Sequence, residues 1–514
     1  MLSHWILSLL IWVPIIGGLI TLAVGMNDAH RTLIRWVALA FALITLFLCV
    51  PLYFEFDPNL YTMQLVEQHA WIPGLDIGYN LGVDGISVLF IMLNCFTTLI
   101  ILLSAWSHTK EKAAQYMAIF LISAGLVNGA FATTDAILFY VFFESSLVPM
   151  FLGVGIWGGP RKVYASMKFF MMMFLGSIFM LLAFLYLHTK SGNFSIQDFQ
   201  NVNLTAAEAG WIFMAFLATF AVKIPMWPVH TWLPDAHTEA PSGGSVILAA
   251  LMLKLGAYGF VRFSLPIVPE VHQAFDWLLI GLSLIAIIYV GFACIMQTDM
   301  KRLIAYSSVS HMGLVTLGIF MVFRIVGETH GHNFAHDEDA LIGLQGAIFQ
   351  MVAHAFSAGA MFLGVGYMYD RYGSRLIKDY KGLAHAMPIF AAFYMLFAMA
   401  NVGLPGTAGF VGEFMIVLAA FKANVWIAIL AAFTLVLAPA YTLWMYKRVL
   451  FGEIKGRKFA EKNDLKANEI LVFVLLAIPT IIFGLYPQWI LHISHAASAH
   501  FLVHVMSRIP AGSY

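Results

Sequence analysis

Charge is what this sequence lacks most. Only 11% of its 514 residues are Asp, Glu, Lys or Arg, whereas a soluble domain carries about 25%. So sparse a charged surface cannot keep a chain of this size dispersed in water, and the solvent it calls for is lipid. Net charge is lacking too: 27 basic residues balance 27 acidic ones, so nothing electrostatic points to a nucleic-acid partner. Cysteine is scarce. Cys49, Cys95 and Cys294 all lie inside apolar runs, with neither disulfide nor metal-ligand spacing, and read as small buried hydrophobes. No phosphate-binding glycine loop, dinucleotide fingerprint or haem-attachment motif is found, so the sequence gives no sign of hydrolysing ATP or carrying electrons itself. The first 25 residues lack a basic leader region and read as a first permanent span rather than a cleaved signal.

What is present is a succession of apolar runs near twenty residues, each long enough to cross a hydrocarbon core of about 30 Å. The pattern predicts an all-α polytopic membrane protein of about fourteen transmembrane helices: 5–25, 36–54, 82–105, 114–132, 136–156, 164–187, 210–238, 243–264, 274–296, 303–323, 340–369, 387–421, 425–446 and 468–487. The loops test that list. Lys and Arg concentrate in the odd-numbered loops, with Arg31, Arg35, Arg161, Lys162, Lys301, Arg375 and Lys447 among them, while the even-numbered loops and tail hold only Lys190, Arg262, Arg324, Lys422 and Arg508. Miscounting one span would scramble this alternation. The positive-inside rule then puts the odd loops in the cytoplasm and both termini outside.

Spans seven and twelve are too long for straight crossings and both contain helix breakers. Span seven reads AVKIPMWPVHTWLPDAH, with Pro225, Pro228 and Pro234; span twelve reads NVGLPGTAGFVGEF, with Gly403, Pro405, Gly406 and Gly409. Proline removes a backbone donor and clashes with the preceding turn. Backbone groups freed in lipid must find partners, so irregular backbone there lines a cavity or is sealed by protein. A simple proline kink would also account for either break alone. Their positions match, however. If 114–270 forms one five-helix unit and 271–450 a second, each broken helix is the fourth of its unit, and the second unit is inverted. An N-terminal three-helix segment (1–113) and a C-terminal span and tail (451–514) complete the division. Inverted repeats with broken helices in equivalent places point to a transport site.

Four ionisable residues stand at mid-membrane depth: Glu144 in span five, Lys223 two residues before Pro225, Lys254 near the centre of span eight, and Glu413 after the break of span twelve. A charge at the bilayer centre costs about 2.5–3.5 kcal/mol on insertion scales. Desolvation favours the neutral form of each group and an opposite charge opposes it, so a Glu–Lys pair whose partner can leave is able to trade protons. A fixed salt bridge that fastens helices is the alternative for Glu144 with Lys223 and for Lys254, and a permanently protonated carboxyl is the alternative for Glu413. Four histidines extend the series: His230 and His237, seven apart, His311 in YSSVSHMG, and His354 in FQMVAHAFSAGAMF. Histidine suits a relay because it takes and gives protons near neutral pH, though a hydrogen-bonded packing role fits each alone. The outer-loop segment THGHNFAHDED could bind a metal but reads better as a solvated loop. The tail histidines His492, His495, His500 and His504 read as decorating an interfacial helix.

The segments FFESSLVPM, AVKIPMWPVHTWLPDAHTEAPSGGSVILAALMLKLGAYGFVRF, KRLIAYSSVSHMG, HAFSAGAMFLGVG and GLPGTAGFVGEF resemble the antiporter-like, proton-pumping subunits of respiratory complex I, and so does the span layout of nearly the whole chain. Sister subunits in that family usually carry Lys where this chain has Glu413. The resemblance implies that Glu144 is the charged member of a Glu–Lys pair with Lys223. It makes Lys254 a central relay, Glu413 a terminal proton site, and His230, His311 and His354, with His237 beside them, polar relay positions. It implies a bacterial inner-membrane location, partnership with other complex I membrane subunits including two antiporter-like sisters, no cofactor in this chain, and FMN and iron–sulfur clusters in partner subunits. The implied path enters from the cytoplasm around span seven, passes Lys223 and Lys254, crosses by His311 and His354, and leaves near Glu413. A multi-subunit cation/proton antiporter and a membrane-bound hydrogenase would share the fold, and a scaffold with no transport is the remaining reading.

Overall fold

Length and apolarity alone make these segments helical, because in hydrocarbon a backbone must satisfy its own polar groups. The computed structural model describes residues 3–25, 31–108, 112–328, 338–453 and 464–509. Among them, 13 helices are long and apolar enough to cross a membrane. They cover every expected span except the twelfth, which is divided into Pro388–Val402 and Ala408–Ala423 and completes the set of fourteen. Span seven is divided as well. It runs as Ala206–Lys223, breaks over 224–231, and resumes as Trp232–Glu239.

Several starts are fixed by capping side chains, which satisfy the first orphan amides of a helix. Asp135 accepts from the amides of Ile137 and Leu138 at the head of span five. Asp299 does the same for Lys301 and Arg302 at the head of span ten. Thr205 and Glu208 form a reciprocal capping box on span seven.

The helices divide by what surrounds them. Spans two and fourteen show large apolar side chains to the outside, such as Phe47, Phe54 and Ile482. Spans eight (Ser242–Ile267) and eleven (Glu338–Tyr372) are wholly enclosed by protein over their apolar windows, and span ten (Met300–Val326) nearly so. These central helices carry Lys254, His354 and His311. Polar groups inside a membrane protein gain partners only by facing the bundle interior, and the fold places them there.

The long second loop contains structure that its sequence did not suggest: an antiparallel pair of strands, Gln64–Ile72 and Ile77–Val83. Its Glu67 reaches back to the start of span one and accepts from the amides of Leu7 and Ser8. Behind it Asp84 bonds Arg262 at 2.6 Å, and Arg262 also donates to the Tyr258 hydroxyl. The tail folds as the helix Gln488–Ser507, which buries one side, including Ile490, Ala497 and Val505. His330, His332, His336 and Asp337 of the histidine-rich loop lie outside the described residues, and among those described no His/Cys/Asp/Glu group could hold a metal ion.

Candidate functional site

Span eight is the centre of the site, and its helix is irregular on both sides of the lysine. Turns of π-helix at Leu248–Met252 and Phe260–Ser264 flank the segment Leu253–Gly259 that carries Lys254. Such insertions re-aim side chains and weaken the local backbone ladder. Lys254 is fully buried; its Nζ donates to the Ala249 carbonyl in the first π turn and lies 2.9 Å from His354 Nδ1. The two residues are 100 positions apart in sequence.

From His354 the polar line continues across span ten to span twelve. The His354 and His311 rings have centroids 5.7 Å apart. His311 Nδ1 stands 3.0 Å from Glu413 Oε1, with both side chains out of contact with the surroundings of the protein. Gln350 Nε2 donates to the same oxygen at 3.2 Å. The break in span twelve makes room for this carboxyl: Gly403 has φ +78°, and a Cβ there would sit 2.7 Å from Glu413 Oε2. A side chain at this position would meet both the left-handed backbone penalty and the carboxylate.

Lys223 ends the first half of span seven, almost completely buried, with Nζ 4.1 Å from the centre of the Phe143 ring. Its neighbour in sequence to that ring, Glu144, is half-buried. The two charges are in electrostatic reach of each other, yet no ion pair at contact distance joins them. The Glu144 carboxylate oxygens and the Lys223 ammonium have no hydrogen-bond partner among the described residues. Span eight packs directly on this end of span seven because residue 256 is glycine. A Cβ there would lie 2.7 Å from the Ile224 amide nitrogen and 3.0 Å from Lys223 Cβ.

His230 lies within the break of span seven, its ring 6.4 Å from that of Tyr306. His237, on the second half-helix, is fully buried and stacked on Phe362 at 4.6 Å. The structure therefore brings Lys254, His354, His311 and Glu413 into one line. It sets Glu144 and Lys223 beside that line as a loose pair, and places His230 and His237 along the broken helix that flanks it.

The line has buried polar atoms that the protein does not satisfy. Both ring nitrogens of His237, Nε2 of His354 and of His311, Oε1 of Gln350 and Oε2 of Glu413 have no hydrogen-bond partner among the described residues. Buried polar groups are nearly always paired, with protein or with ordered water. Buried polar atoms of this kind are positions where ordered water can bind.

Gln350 is the residue that sequence reasoning missed. It precedes His354 by four positions, so both share one helix face, and that spacing in FQMVAHAF was the available signal. The partnership of Glu413 with His311 had none, since it joins residues about a hundred apart.

Similarity to known proteins accords with this geometry. Residues 133–438 match the family model described as NADH:quinone oxidoreductase/Mrp antiporter, transmembrane. The NADH-quinone oxidoreductase subunit M of Rhodobacter capsulatus is 43% identical over 510 residues, covering 96% of both chains. A chain of respiratory complex I from Thermus thermophilus with bound NADH superposes with a TM-score of 0.86 at 29% identity, over 97% of this chain and 99% of that one. A chain of the Mrp complex from a Dietzia species shares the fold, with a TM-score of 0.83 at 21% identity over 98% and 100% of the two chains.

Proposed function

Since the chain belongs to the NADH:quinone oxidoreductase/Mrp antiporter transmembrane family, we propose that it is a proton-translocating membrane subunit of an NADH–quinone oxidoreductase, the counterpart of subunit M. The observation that carries the reading is the buried line Lys254–His354–His311–Glu413, with its direct contacts of 2.9 and 3.0 Å. It runs from span eight, packed on broken span seven, to broken span twelve.

In this reading the basic odd-numbered loops face the cytoplasm of a bacterial inner membrane and both termini face the periplasm. Residues 114–270 and 271–450 act as two inverted five-helix halves. Protons enter around the break of span seven and reach Lys254. They pass to His354 and His311 through water held by the unpaired ring nitrogens, and leave by way of Glu413. Glu144 and Lys223 act as a gate. Closing their gap favours the charged ammonium, and opening it leaves a buried cation without a counter-charge, which favours release of the proton. Lys223 sits against Gly256, two residues from Lys254, so the gate packs directly on the helix that heads the line. His230 and His237 hold water along the broken helix.

The chain acts beside other complex I membrane subunits, including two antiporter-like sisters, within the lipid bilayer. FMN and iron–sulfur clusters reside in partner subunits, whose oxidation of NADH and reduction of quinone drive this chain from a distance.

Similarity over nearly full length at 43% identity to a subunit M favours this reading over a cation/proton antiporter, since the likeness to the Mrp complex chain is one of fold at 21% identity. Two experiments test it. Purification of the native membrane complex is expected to yield flavin and iron–sulfur subunits; nickel–iron subunits, or no redox subunits, would overturn it. Glu144→Gln is expected to cut proton pumping and coupled turnover sharply while the complex still assembles, and near-normal pumping would remove Glu144 from the mechanism.

A further inference from the structure

A groove of about 610 Å³ runs along the outside of the bundle between spans two, three and fourteen. Its floor is Leu89 and Leu93 of span three with Val352 and Phe356 of span eleven, all buried. Its rims, Phe47 and Val50 on span two and Ile478 and Ile482 on span fourteen, stand out from the protein. Apart from Cys49, Tyr53 and Trp489, only hydrocarbon, aromatic rings and one thioether line it. On the face away from the basic loops it meets a second space of about 440 Å³, with Tyr53, Phe54 and Trp489 in the walls of both.

The second space is polar where the groove is not. Gln488 and His492 of the tail helix, and Tyr486 before it, bring an amide, an imidazole and a hydroxyl to its wall. Where the two spaces meet, Trp489 Nε1 donates to the Tyr53 hydroxyl at 2.9 Å, and the indole stacks on Phe483 at 5.4 Å. Trp and Tyr gather at the membrane–water boundary, where one end of the ring is apolar and the other wet. Their pairing here puts the groove at acyl-chain depth and the second space at headgroup depth. No Asp, Glu, Lys or Arg is among the described residues lining either space.

This division selects the occupant. A helix of another subunit would carry apolar side chains past the Trp489–Tyr53 pair and bury the Gln488 amide and the His492 imidazole against hydrocarbon, at a cost for each polar group left without a partner. A long-chain amphiphile meets both compartments. A phosphate in the second space accepts from the Gln488 amide and from a His492 N–H, and an ammonium is met by the ring faces of Tyr53, Phe54 and Trp489. A head with a net negative charge would find no Lys or Arg among the described lining residues, so a head carrying both charges fits.

We propose that the groove and the space beyond it bind one zwitterionic phospholipid of the phosphatidylethanolamine kind, its head beside Gln488 and His492 and an acyl chain laid on Leu93 and Phe356. The site needs only the membrane and stands apart from the translocation reading. Val352 and Phe356 lie two positions before and after His354, about half a helical turn away, while Gln350 and His354, four apart, share the opposite face. The bound chain therefore supports the back of the helix whose front carries the polar line.

The test uses the whole membrane complex, with photoreactive p-benzoylphenylalanine in place of Phe96, which lines the groove, or of Phe292, exposed on span nine. Each complex is purified in detergent, which strips loosely held lipid, then irradiated, and the labelled peptide is identified by mass spectrometry. The Phe96 position is expected to carry a phosphatidylethanolamine adduct in at least tenfold higher yield than the Phe292 position. After delipidation, added phosphatidylethanolamine is expected to restore the adduct, and phosphatidylglycerol at the same concentration to restore it several-fold less. Leu93→Trp, which fills the groove, and the double variant Gln488→Leu/His492→Leu, which removes the partners of the head, are each expected to lower the yield several-fold. Gln488 and His492 are exposed, so the double variant assembles even if Leu93→Trp does not. A cross-link from the Phe96 position to another subunit, a quinone adduct there, or equal yields at the two positions overturns the inference. So does equal restoration by phosphatidylglycerol, or an unchanged adduct in the double variant.

Discussion

Glu413→Gln isolates one physical quantity, the charge that answers a proton on His311. The two side chains face each other at 3.0 Å with no exposure. At an effective dielectric near 20, unit charges at that distance attract by about 5.5 kcal/mol. That attraction exists only when the proton is on the ring and the carboxyl is ionised. Glutamine has the same shape and still accepts from Gln350, so the packing and that hydrogen bond survive, and assembly is expected to be normal. What vanishes is the counter-charge. A proton arriving at His311 loses up to about 5.5 kcal/mol of stabilisation, equivalent to about ten-thousand-fold in occupancy. If relaxation and water restore half of it, about a hundred-fold deficit remains. NADH-driven proton uptake by inside-out vesicles, normalised to assembled complex, should therefore fall at least tenfold, and NADH oxidation by an artificial acceptor should not. Glu413→Gln vesicles that pump at the normal rate would refute the reasoning, because no other carboxylate contacts His311 among the described residues.

Other outcomes follow from neighbouring contacts. Gln350→Leu leaves Glu413 Oε1 without its amide donor, a loss of about 1–3 kcal/mol for a buried acceptor; coupled turnover should slow several-fold to a hundred-fold, measured in the same vesicles, while Gln350→Glu should not restore it. On the outer face, burial works to raise the Asp84 carboxyl, but Arg262 and Ser87 outweigh it and hold it below the usual carboxylate range. A lowered folded-state value contributes stability above the unfolded value, lost as pH falls through the folded one, so the Asp84–Arg262 tie should weaken only in acid below the usual carboxylate range. Asp84→Asn strands the Arg262 guanidinium and should cost about 3–5 kcal/mol, seen as earlier heat dissociation of the complex on native gels, with Asp84→Asn/Arg262→Leu recovering part of the loss.

The spans and the two breaks were legible because they depend on local chemistry, apolar length and the placement of Pro and Gly. Length alone would have misled. Span eleven, Glu338–Tyr372, is longer than either half of a broken span and runs unbroken through 35 residues; it has no proline, and protein encloses it. The depth of Glu144, Lys223, Lys254 and Glu413 could be read from the sequence, but their partners could not. Lys254 meets His354 and His311 meets Glu413 across about a hundred residues, and such contacts are set by helix packing that no local pattern encodes. The π turns around Lys254 left no trace either, since Leu, Ala and Met fit α- and π-turns equally. The hairpin of the second loop went unseen because its second strand, IGYNLGV, carries two glycines and no clean alternation.

The decisive measurement is the number of protons taken up per NADH oxidised by inside-out vesicles carrying Lys254→Met. Methionine fills the space of the lysine stem and removes only the amine that bonds His354. Assembled complex with coupled pumping reduced at least tenfold is expected if protons travel through Lys254; pumping at the normal rate and ratio would mean that the buried bases only fasten helices together.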